Sequence, residues 1–307
     1  MSLLPAWLPF DPRDEFRLGP RVFPGRVWTA SGCFGYGLDG HDITSPGGGS
    51  PLDGVGAVVT KTVTLAPRHG NLPPRIWDAG PGALNSIGLE NVGLDRFLDE
   101  IAPALEANAV PFVASIAGTE PAQFGVMTRR LRETAAGFAH WHGVELNLSC
   151  PNVAEGGVDF GRDPATVRAC VQVAAGETGD RALLAKLTPN AACIAELAQA
   201  AADGGAHGVT AINTLIGMDI DLNTGRPVLP GRRGGYSGPA ILPVALAKVD
   251  EIVRETGLPV VGVGGIRRLG DALKFFAVGA VAVQVGTAQM DNPFAAAAIA
   301  SALSATD

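Results

Sequence analysis

Eight short apolar segments, most of them followed by a stretch with helical spacing, predict an α/β protein with the (β/α)8 TIM-barrel fold and long βα loops over its C-terminal mouth. The segments are rich in aliphatic and β-branched residues and lack strict alternation, which is typical of strands buried on both faces. A doubly wound sheet is the alternative, but no GxGxxG motif follows the first segment. The predicted strands are residues 27–32, 57–62, 111–117, 144–149, 183–188, 208–213, 260–264 and 282–286.

The segments between these strands supply helices and loops. Two of them are longer than an ordinary βα loop, residues 35–53 and 217–238, and a third irregular stretch, 65–91, is expected to fold over the barrel mouth. Long loops in a compact domain usually carry function. Helical spacing is clear in residues 121–139, 164–175, 193–203, 239–256 and 269–277.

The composition favours a single domain over residues 1–307, in which residues 1–15 form an N-terminal extension. The net charge of −7 and the absence of long Lys/Arg runs argue against nucleic-acid binding, which requires neutralisation of phosphates. The first residues lack the basic and apolar regions of a secretion signal. Apolar runs end well before the ~18 residues that a membrane span needs. We therefore expect no membrane segment.

The cysteines and histidines show no metal-binding pattern. Cys33, Cys150, Cys170 and Cys193 lie far apart and form no CxxC, and the five histidines lack metal-ligand spacing. Zinc, an iron–sulfur cluster within this chain and a disulfide framework are therefore not expected. A reducing cytoplasm is the expected compartment.

Polar and glycine residues collect at the C-terminal ends of the predicted strands, where barrel enzymes build their active sites. Six of the eight ends carry an amide, ammonium, hydroxyl or thiol group, and the last two carry glycine-rich turns of the kind that bind phosphate. The residues concerned are Ala30, Ser31, Lys61, Thr62, Ser115, Asn147, Cys150, Lys186, Asn213, Thr214, Gly264, Gly265, Gly286 and Thr287.

Cys150 lies between two carboxamides, Asn147 and Asn152, at the exit of the fourth predicted strand. A thiol can accept a proton, and carboxamides suit the edge of a planar ring that contains amides. The alternative is a buried structural thiol. That interpretation fits Cys170 and Cys193, which lie on predicted helices, whereas Pro151 places Cys150 in a loop. The motif therefore predicts proton transfer on a small polar heterocycle. Cys33, in a glycine-rich loop at a strand end, could line the site, but packing is the favoured interpretation.

Lys61 and Lys186 lie inside apolar strands. A buried ammonium is costly unless an anion accompanies it. Each lysine could reach a carboxylate at the barrel rim, but a ligand that carries or develops negative charge is the favoured interpretation.

Taken together, these motifs resemble the class 1 dihydroorotate dehydrogenases, and the resemblance is closest to the 1B subgroup. The matching segments run in order over most of residues 27–290. They are residues 30–37, 85–89 with Asn91, 146–152, 212–218, 234–240 and the two glycine turns near the end.

The resemblance implies that FMN is held at the barrel mouth and that dihydroorotate is oxidised to orotate in de novo pyrimidine (UMP) biosynthesis, with Cys150 as the base and hydride transfer to FMN N5. Lys186 and Lys61 complete the implied catalytic set. The implied FMN contacts are Ala30, Ser31, Lys61, Thr62, Asn147, Lys186, Ile212, Gly238, Gly264, Gly265, Gly286 and Thr287. The implied substrate contacts are Lys61, Asn85, Ile87, Gly88, Leu89, Asn147, Asn152, Asn213 and Thr214.

The resemblance also bears on partners. Members of the 1B subgroup usually work with a second subunit that carries FAD and a 2Fe–2S cluster and passes electrons to NAD. This chain has neither the cysteine spacing for a cluster nor a dinucleotide fingerprint, so such a partner would be a separate protein. A homodimeric core is implied, either alone or within a heterotetramer, and a 1A-like homodimer that uses fumarate stays open. Ser115 departs from the subgroup, where many members have Asn.

Two further hypotheses come from other classes. One is another FMN barrel that acts on a uracil-type ring, resembling dihydropyrimidine dehydrogenase or tRNA dihydrouridine synthase. The net charge of −7 argues against the tRNA version. The other is a non-catalytic FMN-binding protein, which would have no need of Cys150 together with both lysines.

Overall fold

A computed structural model describes residues 5, 7–38, 43–45, 48–149 and 160–305. Eight parallel strands close into a barrel, which confirms the predicted fold. In chain order the strands are β1 (Phe16–Leu18), β2 (Arg21–Phe23), β3 (Val27–Thr29), β4 (Ala57–Val59), β5 (Ile76–Asp78), β6 (Ala83–Asn85), β7 (Phe112–Ile116), β8 (Trp141–Asn147), β9 (Ala182–Lys186), β10 (Gly208–Ala211), β11 (Leu215–Gly217), β12 (Ile220–Asp221), β13 (Arg226–Pro227), β14 (Gly234–Ser237), β15 (Val260–Val263) and β16 (Ala282–Val285).

The barrel runs β3-β4-β7-β8-β9-β10-β15-β16 and returns to β3. Each of the eight predicted segments overlaps one of these strands. Most of the strands end one to three residues before the predicted segment does, as in β3, which ends at Thr29. The chain leaves the ladder at those points, so the polar residues that follow belong to the mouth of the barrel and not to its wall.

Helices separate most of the barrel strands and agree with the predicted spacing, with three differences. The helix predicted over 121–139 ends at Thr134, and the one predicted over 239–256 begins as a 3-10 turn, Pro239–Ile241. Helical structure over 94–107, which includes a π-helical segment (Phe97–Ile101), was not among the predicted stretches. The α-helices are α1 (Leu94–Arg96), α2 (Ala102–Ala107), α3 (Pro121–Thr134), α4 (Pro164–Ala175), α5 (Ile194–Asp203), α6 (Leu242–Thr256), α7 (Leu269–Ala277), α8 (Ala288–Asp291) and α9 (Ala295–Ser304).

The long stretches expected to be irregular contain regular structure. A small antiparallel sheet, ordered β11-β14-β6-β5, joins the stretch 65–91 to the stretch 217–238, and β12 pairs with β13. In this sheet Gly235 pairs with Asn85 and Tyr236 pairs with Leu84. Strands of only two to four residues are too short to give a periodic signal, which explains why the sequence did not predict them.

The N-terminal end of the barrel is covered by the β1–β2 hairpin. Phe16 and Phe23 stack on Trp28, with ring centroids 6.0 and 4.5 Å away. The guanidinium of Arg26 lies 4.4 Å from the ring centre of Phe10 and 4.7 Å from that of Phe16. The described part of residues 1–15 therefore packs against this end of the barrel.

Candidate active site

A cavity of about 250 Å³ opens at the C-terminal ends of the barrel strands, beside the small antiparallel sheet. Nearly all described residues that the sequence predicted for the site line it. They are Ala30, Ser31, Lys61, Thr62, Asn85, Ile87, Leu89, Asn147, Lys186, Ile212, Asn213, Thr214, Gly238, Gly264, Gly265, Gly286 and Thr287. Gly88 does not line the cavity, and its Cα packs instead toward Asn71. Cys150 and Asn152 lie outside the described residues.

Two lysines reach the cavity from the ends of β4 and β9, which are separated in the barrel by β7 and β8. Lys186 is the last residue of β9, pairs in register with Asn147, and is buried, with 7% of its surface exposed. Lys61 follows β4, and its backbone N–H donates to Gly35 O at 2.8 Å. Among the described residues, no carboxylate lies within 4.0 Å of either ammonium. Because an unaccompanied buried charge is costly, the pair suits a ligand with negative charge.

The carboxamides of Asn147 and Asn213 are connected to each other and to the backbone. The backbone N–H of Thr214 donates to Asn213 Oδ1 at 2.8 Å, and Asn213 Nδ2 donates to Asn147 Oδ1 at 3.4 Å. Asn147 Nδ2 then donates to Thr62 Oγ1 at 3.3 Å. On the opposite wall, Asn85 Nδ2 donates to Gly235 O at 3.1 Å. These bonds hold three amide groups in fixed orientations, as recognition of a planar polar ring requires.

Glycines form a second wall of the cavity. Gly264 and Gly265 follow β15 with φ of +136° and +77°, which L side chains rarely adopt. A Cβ on Gly265 would lie only 2.8 Å from the backbone nitrogen of Leu242, at the start of α6. Gly286 and Thr287 follow β16 on the neighbouring strand, and Thr287 Oγ1 donates to Ser237 Oγ at 2.9 Å. The main chain can therefore approach a ligand closely along this wall, as it does in phosphate sites.

Comparison with known proteins shows the family of this chain. The family model described as "Dihydroorotate dehydrogenase" matches residues 19–306. A protein of Trichlorobacter lovleyi named dihydroorotate dehydrogenase B (NAD(+)), catalytic subunit, is 43% identical over 292 residues, covering 94% of this chain and 91% of its own length. Proteins of the same name from Bacillus pumilus and Geobacter sulfurreducens are each 42% identical, covering 86% and 89% of this chain and 82% and 86% of their own lengths.

The chain belongs to the dihydroorotate dehydrogenase family. The protein is accordingly an oxidoreductase. Within the part of the chain that the structure describes, no group of three or more His, Cys, Asp or Glu residues could hold a metal ion. The same described ranges contain no helix that is long and apolar enough to cross a membrane.

Several cavity residues of this dihydroorotate dehydrogenase family member were not predicted. Cys33, interpreted above as a packing residue, lines the cavity, where burial raises the pKa of its thiol while the charges of Lys186 and Lys61 act in the opposite direction. Its position two residues after the predicted contact Ser31 was the available signal. The other unpredicted lining residues are Gly32, Ile76, Ala83, Glu90, Ser237, Pro239, Ile241, Val263, Ile266, Arg267, Ala288, Met290 and Asp291.

Proposed function

We propose that this protein is an FMN-dependent dihydroorotate dehydrogenase that oxidises dihydroorotate to orotate in de novo pyrimidine biosynthesis. The observation that carries the proposal is the convergence of two lysines, three asparagine carboxamides and a glycine wall on one cavity, in a chain of this family. Dihydroorotate is an anion with ring amides, and it matches the ammonium and carboxamide groups.

The residues of the glycine wall fit FMN. Gly264, Gly265, Gly286 and Thr287 would hold its phosphate, because backbone amides and a helix start bind phosphate where no side chain intervenes. The remaining FMN contacts are those that line the rest of the barrel mouth. They are Ala30, Ser31, Lys61, Thr62, Asn147, Lys186, Ile212 and Gly238. FMN, when bound, supplies the acceptor for the hydride.

The substrate would lie against the carboxamides. Asn85, Asn147 and Asn213 present amide groups to its ring and carboxylate, and Lys61 supplies a positive charge. Thr214, Ile87 and Leu89 complete the described contacts, and Gly88 and Asn152 stay predictions from the resemblance. Lys186 would stabilise negative charge that develops during the reaction, from a position where water does not screen it.

Cys150 would take the proton from C5 of dihydroorotate while a hydride leaves C6. A free cysteine is only a few per cent thiolate at neutral pH, so local activation is needed. Replacing Cys150 by Ser should preserve FMN binding and slow flavin reduction by about two to four orders of magnitude at neutral pH. Cys193→Ser is the matched control, since Cys193 lies at the start of α5 with its Sγ 3.8 Å from Glu251. Equal reduction rates in the two variants would remove Cys150 from the mechanism.

The decisive experiment is an anaerobic titration of the purified FMN protein with dihydroorotate, followed at about 450 nm, the usual flavin band. We expect the flavin absorbance to bleach as the substrate reduces the cofactor. Absorbance that stays constant with FMN bound would discard dihydroorotate as the substrate. Uracil or dihydrouracil would then be tested in the same way, and a flavin that responds to no pyrimidine would indicate a binding protein only.

We further propose that the core is a homodimer and that a separate subunit with FAD and a 2Fe–2S cluster takes the electrons to NAD. The relatives named above are catalytic subunits of NAD(+)-linked enzymes, which supports this arrangement. Turnover with NAD should then require the added partner, whereas turnover with fumarate and no partner would favour the 1A-like alternative.

A further inference from the structure

Ser115, the next-to-last residue of β7, does not line the cavity, yet it is hydrogen-bonded to Thr62, which does. Its side chain is fully buried on β7, and its Oγ lies 2.8 Å from Thr62 Oγ1. Its backbone N–H donates to Thr60 Oγ1 at 3.1 Å, and its carbonyl accepts from the N–H of Val63 at 2.9 Å. Three hydrogen bonds therefore fix Ser115 against β4 and the residues that follow it.

The donor and acceptor of each hydroxyl hydrogen bond can be deduced by starting from Ser31, where this series of bonds ends. Ser31 Oγ lies 2.8 Å from the carbonyl oxygen of Thr60, which can only accept, so the single hydroxyl proton of Ser31 is used there. The contact of 3.1 Å between Ser31 and Thr62 must then use the proton of Thr62. The contact between Thr62 and Ser115 must in turn use the proton of Ser115. Ser115 therefore donates, and Thr62 Oγ1 accepts.

The hydrogen bonds of the two carboxamides can be assigned in the same way, starting from the backbone N–H of Thr214, and they also lead to Thr62. A backbone N–H can only donate, so the bond from Thr214 identifies the Asn213 atom that receives it as the oxygen. Asn213 therefore donates to Asn147, and Asn147 donates to Thr62. The Thr62 oxygen, which can accept twice, receives one bond from Asn147 and one from Ser115. Each carboxamide nitrogen uses one N–H in this chain and has a second N–H for a carbonyl or carboxylate of a ligand.

We propose that Ser115 is a positioning residue: through Thr62 it holds the carboxamides of Asn147 and Asn213 with their N–H groups toward the substrate. This inference rests on the proposed function. Without the Ser115 hydroxyl, one acceptor position of the buried Thr62 oxygen is empty, and the Thr62 side chain loses the shortest of the three hydrogen bonds that fix its rotation. The carboxamide of Asn147 is then bonded to a less firmly held acceptor, although no group in contact with the ligand has been removed.

The test measures the dissociation constant of orotate, from the shift it causes in the flavin spectrum of the oxidised FMN protein. We expect Ser115→Ala to weaken orotate binding by about threefold to tenfold, as for one neutral hydrogen bond. The same change in a Thr62→Val background should have no further effect, because Ser115 acts through Thr62. Thermal melts of all variants report whether they fold. Thr128→Val is the matched control, since Thr128 is also fully buried, lies on α3 and should leave the constant within about twofold.

Each result has a distinct meaning. Wild-type protein that fails to bind orotate would overturn the proposed function and this inference together. Wild-type binding with an unchanged constant in Ser115→Ala would overturn the inference alone. Equal losses from Ser115→Ala in the wild-type and Thr62→Val backgrounds would also overturn it, because that result indicates a general structural effect. Loss in the wild-type background only, with Thr128→Val unaffected, would support it.

Discussion

The two ends of the barrel use polar groups in opposite ways. At the N-terminal end, Arg26 is buried but donates to the carbonyl oxygens of Asp14 and Val281 and lies over two aromatic rings. At the C-terminal end, Lys186 is equally buried but has no carboxylate within 4.0 Å among the described residues. The guanidinium of Arg26 is therefore hydrogen-bonded within the protein, whereas the ammonium of Lys186 is placed where an anionic ligand can pair with it.

The comparison indicates how stability and function are divided. The N-terminal end, called the closed end from here on because the β1–β2 hairpin covers it, is built from stacked aromatic side chains, whose burial stabilises the fold. The mouth is built from ammonium groups, carboxamides and glycines with positive φ, which contribute little to stability or oppose it. Substitutions at the closed end should therefore change the free energy of unfolding, and substitutions at the mouth should change ligand binding and catalysis.

The largest expected effect is at the closed end. Trp28 is fully buried between Phe16 and Phe23, and its indole N–H donates to Gly25 O at 2.9 Å. Trp28→Ala should lower the free energy of unfolding by about 3–5 kcal/mol, measured by denaturant titration. The dissociation constant of orotate for the folded protein should stay within about twofold.

Two variants control this experiment. Trp7 is 62% exposed, so Trp7→Ala should change the free energy of unfolding by less than about 0.5 kcal/mol. Trp28→Phe keeps an aromatic ring and serves if the alanine variant does not fold. A loss of orotate affinity that parallels the loss of stability would contradict the separation of the two ends.

The sequence could predict the closed barrel but only part of its mouth. Strands buried on both faces give long aliphatic runs, and the polar residues that follow them mark the strand ends, so Lys61, Asn147 and Lys186 were found without coordinates. The contribution of Ile76 depends on the register of a sheet whose strands are three or four residues long, which no periodicity shows. Cys150, the residue on which the chemical prediction rests, lies outside the described residues and stays a prediction.

The sequence also could not predict which side chains are hydrogen-bonded to each other. Glu145 lies two residues before Asn147 on β8, and nothing in the sequence distinguishes it from other strand residues. Its carboxylate is nevertheless fully buried, and it accepts hydrogen bonds from Thr210 Oγ1 at 2.7 Å and from Gln284 Nε2 at 2.9 Å. These three strands are distant in sequence, and only the closure of the barrel brings them together. The Ser115 connection to Thr62 was also missed, because the sequence does not show which side chains meet even where two strands, here β4 and β7, are neighbours.

The second prediction is the opposite of that for Trp28→Ala: a substitution at the mouth should impair the reaction without lowering the free energy of unfolding. Lys186→Met removes a buried charge and keeps the aliphatic stem, so the free energy of unfolding should stay constant or rise. Flavin reduction by dihydroorotate should slow by about 10²- to 10³-fold, because positive charge where negative charge develops is lost. Stopped-flow reduction and denaturant titration measure the two quantities.

Lys248→Met is the matched control for the lysine at the mouth. Lys248 lies on α6, and its ammonium pairs with Glu251 at 2.8 Å. Its loss should lower the free energy of unfolding by less than about 1 kcal/mol and leave the reduction rate unchanged. A Lys186 variant that is less stable but reduces normally would assign Lys186 to the structure and not to the chemistry.

The third prediction compares two glycines with similar backbone conformation. Gly265 at the mouth and Gly257 at the end of α6 have φ of +77° and +64°, but a Cβ would meet Leu242 only at Gly265. Both alanine variants should lose about 1 kcal/mol of stability from strain. Gly265→Ala should in addition lower FMN affinity by about tenfold to a hundredfold, measured by flavin fluorescence. Equal FMN affinity in the two variants would place FMN away from the glycine wall.

The smallest expected effect concerns His142, at the closed end beside Phe23, whose ring centre is 5.0 Å away. Burial, followed by the charges of Arg21, His140 and Arg181, lowers the pKa of His142 to about 4. The unfolded chain binds this proton near pH 6.5, whereas the folded protein binds it only near the lower value. The contribution of His142 is therefore fully present above about pH 6.5 and is lost as the pH falls toward 4.

The pH dependence of unfolding should therefore change when His142 is replaced. Between pH 7 and pH 5 the free energy of unfolding should fall by about 1–2 kcal/mol more in the wild type than in His142→Gln. His69→Gln is the control, because His69 is exposed and its loss should leave the slope unchanged. Identical slopes in the two variants would show that His142 titrates like an exposed histidine. Because His142 lies at the closed end, His142→Gln should bind orotate with the same dissociation constant as the wild type at either pH.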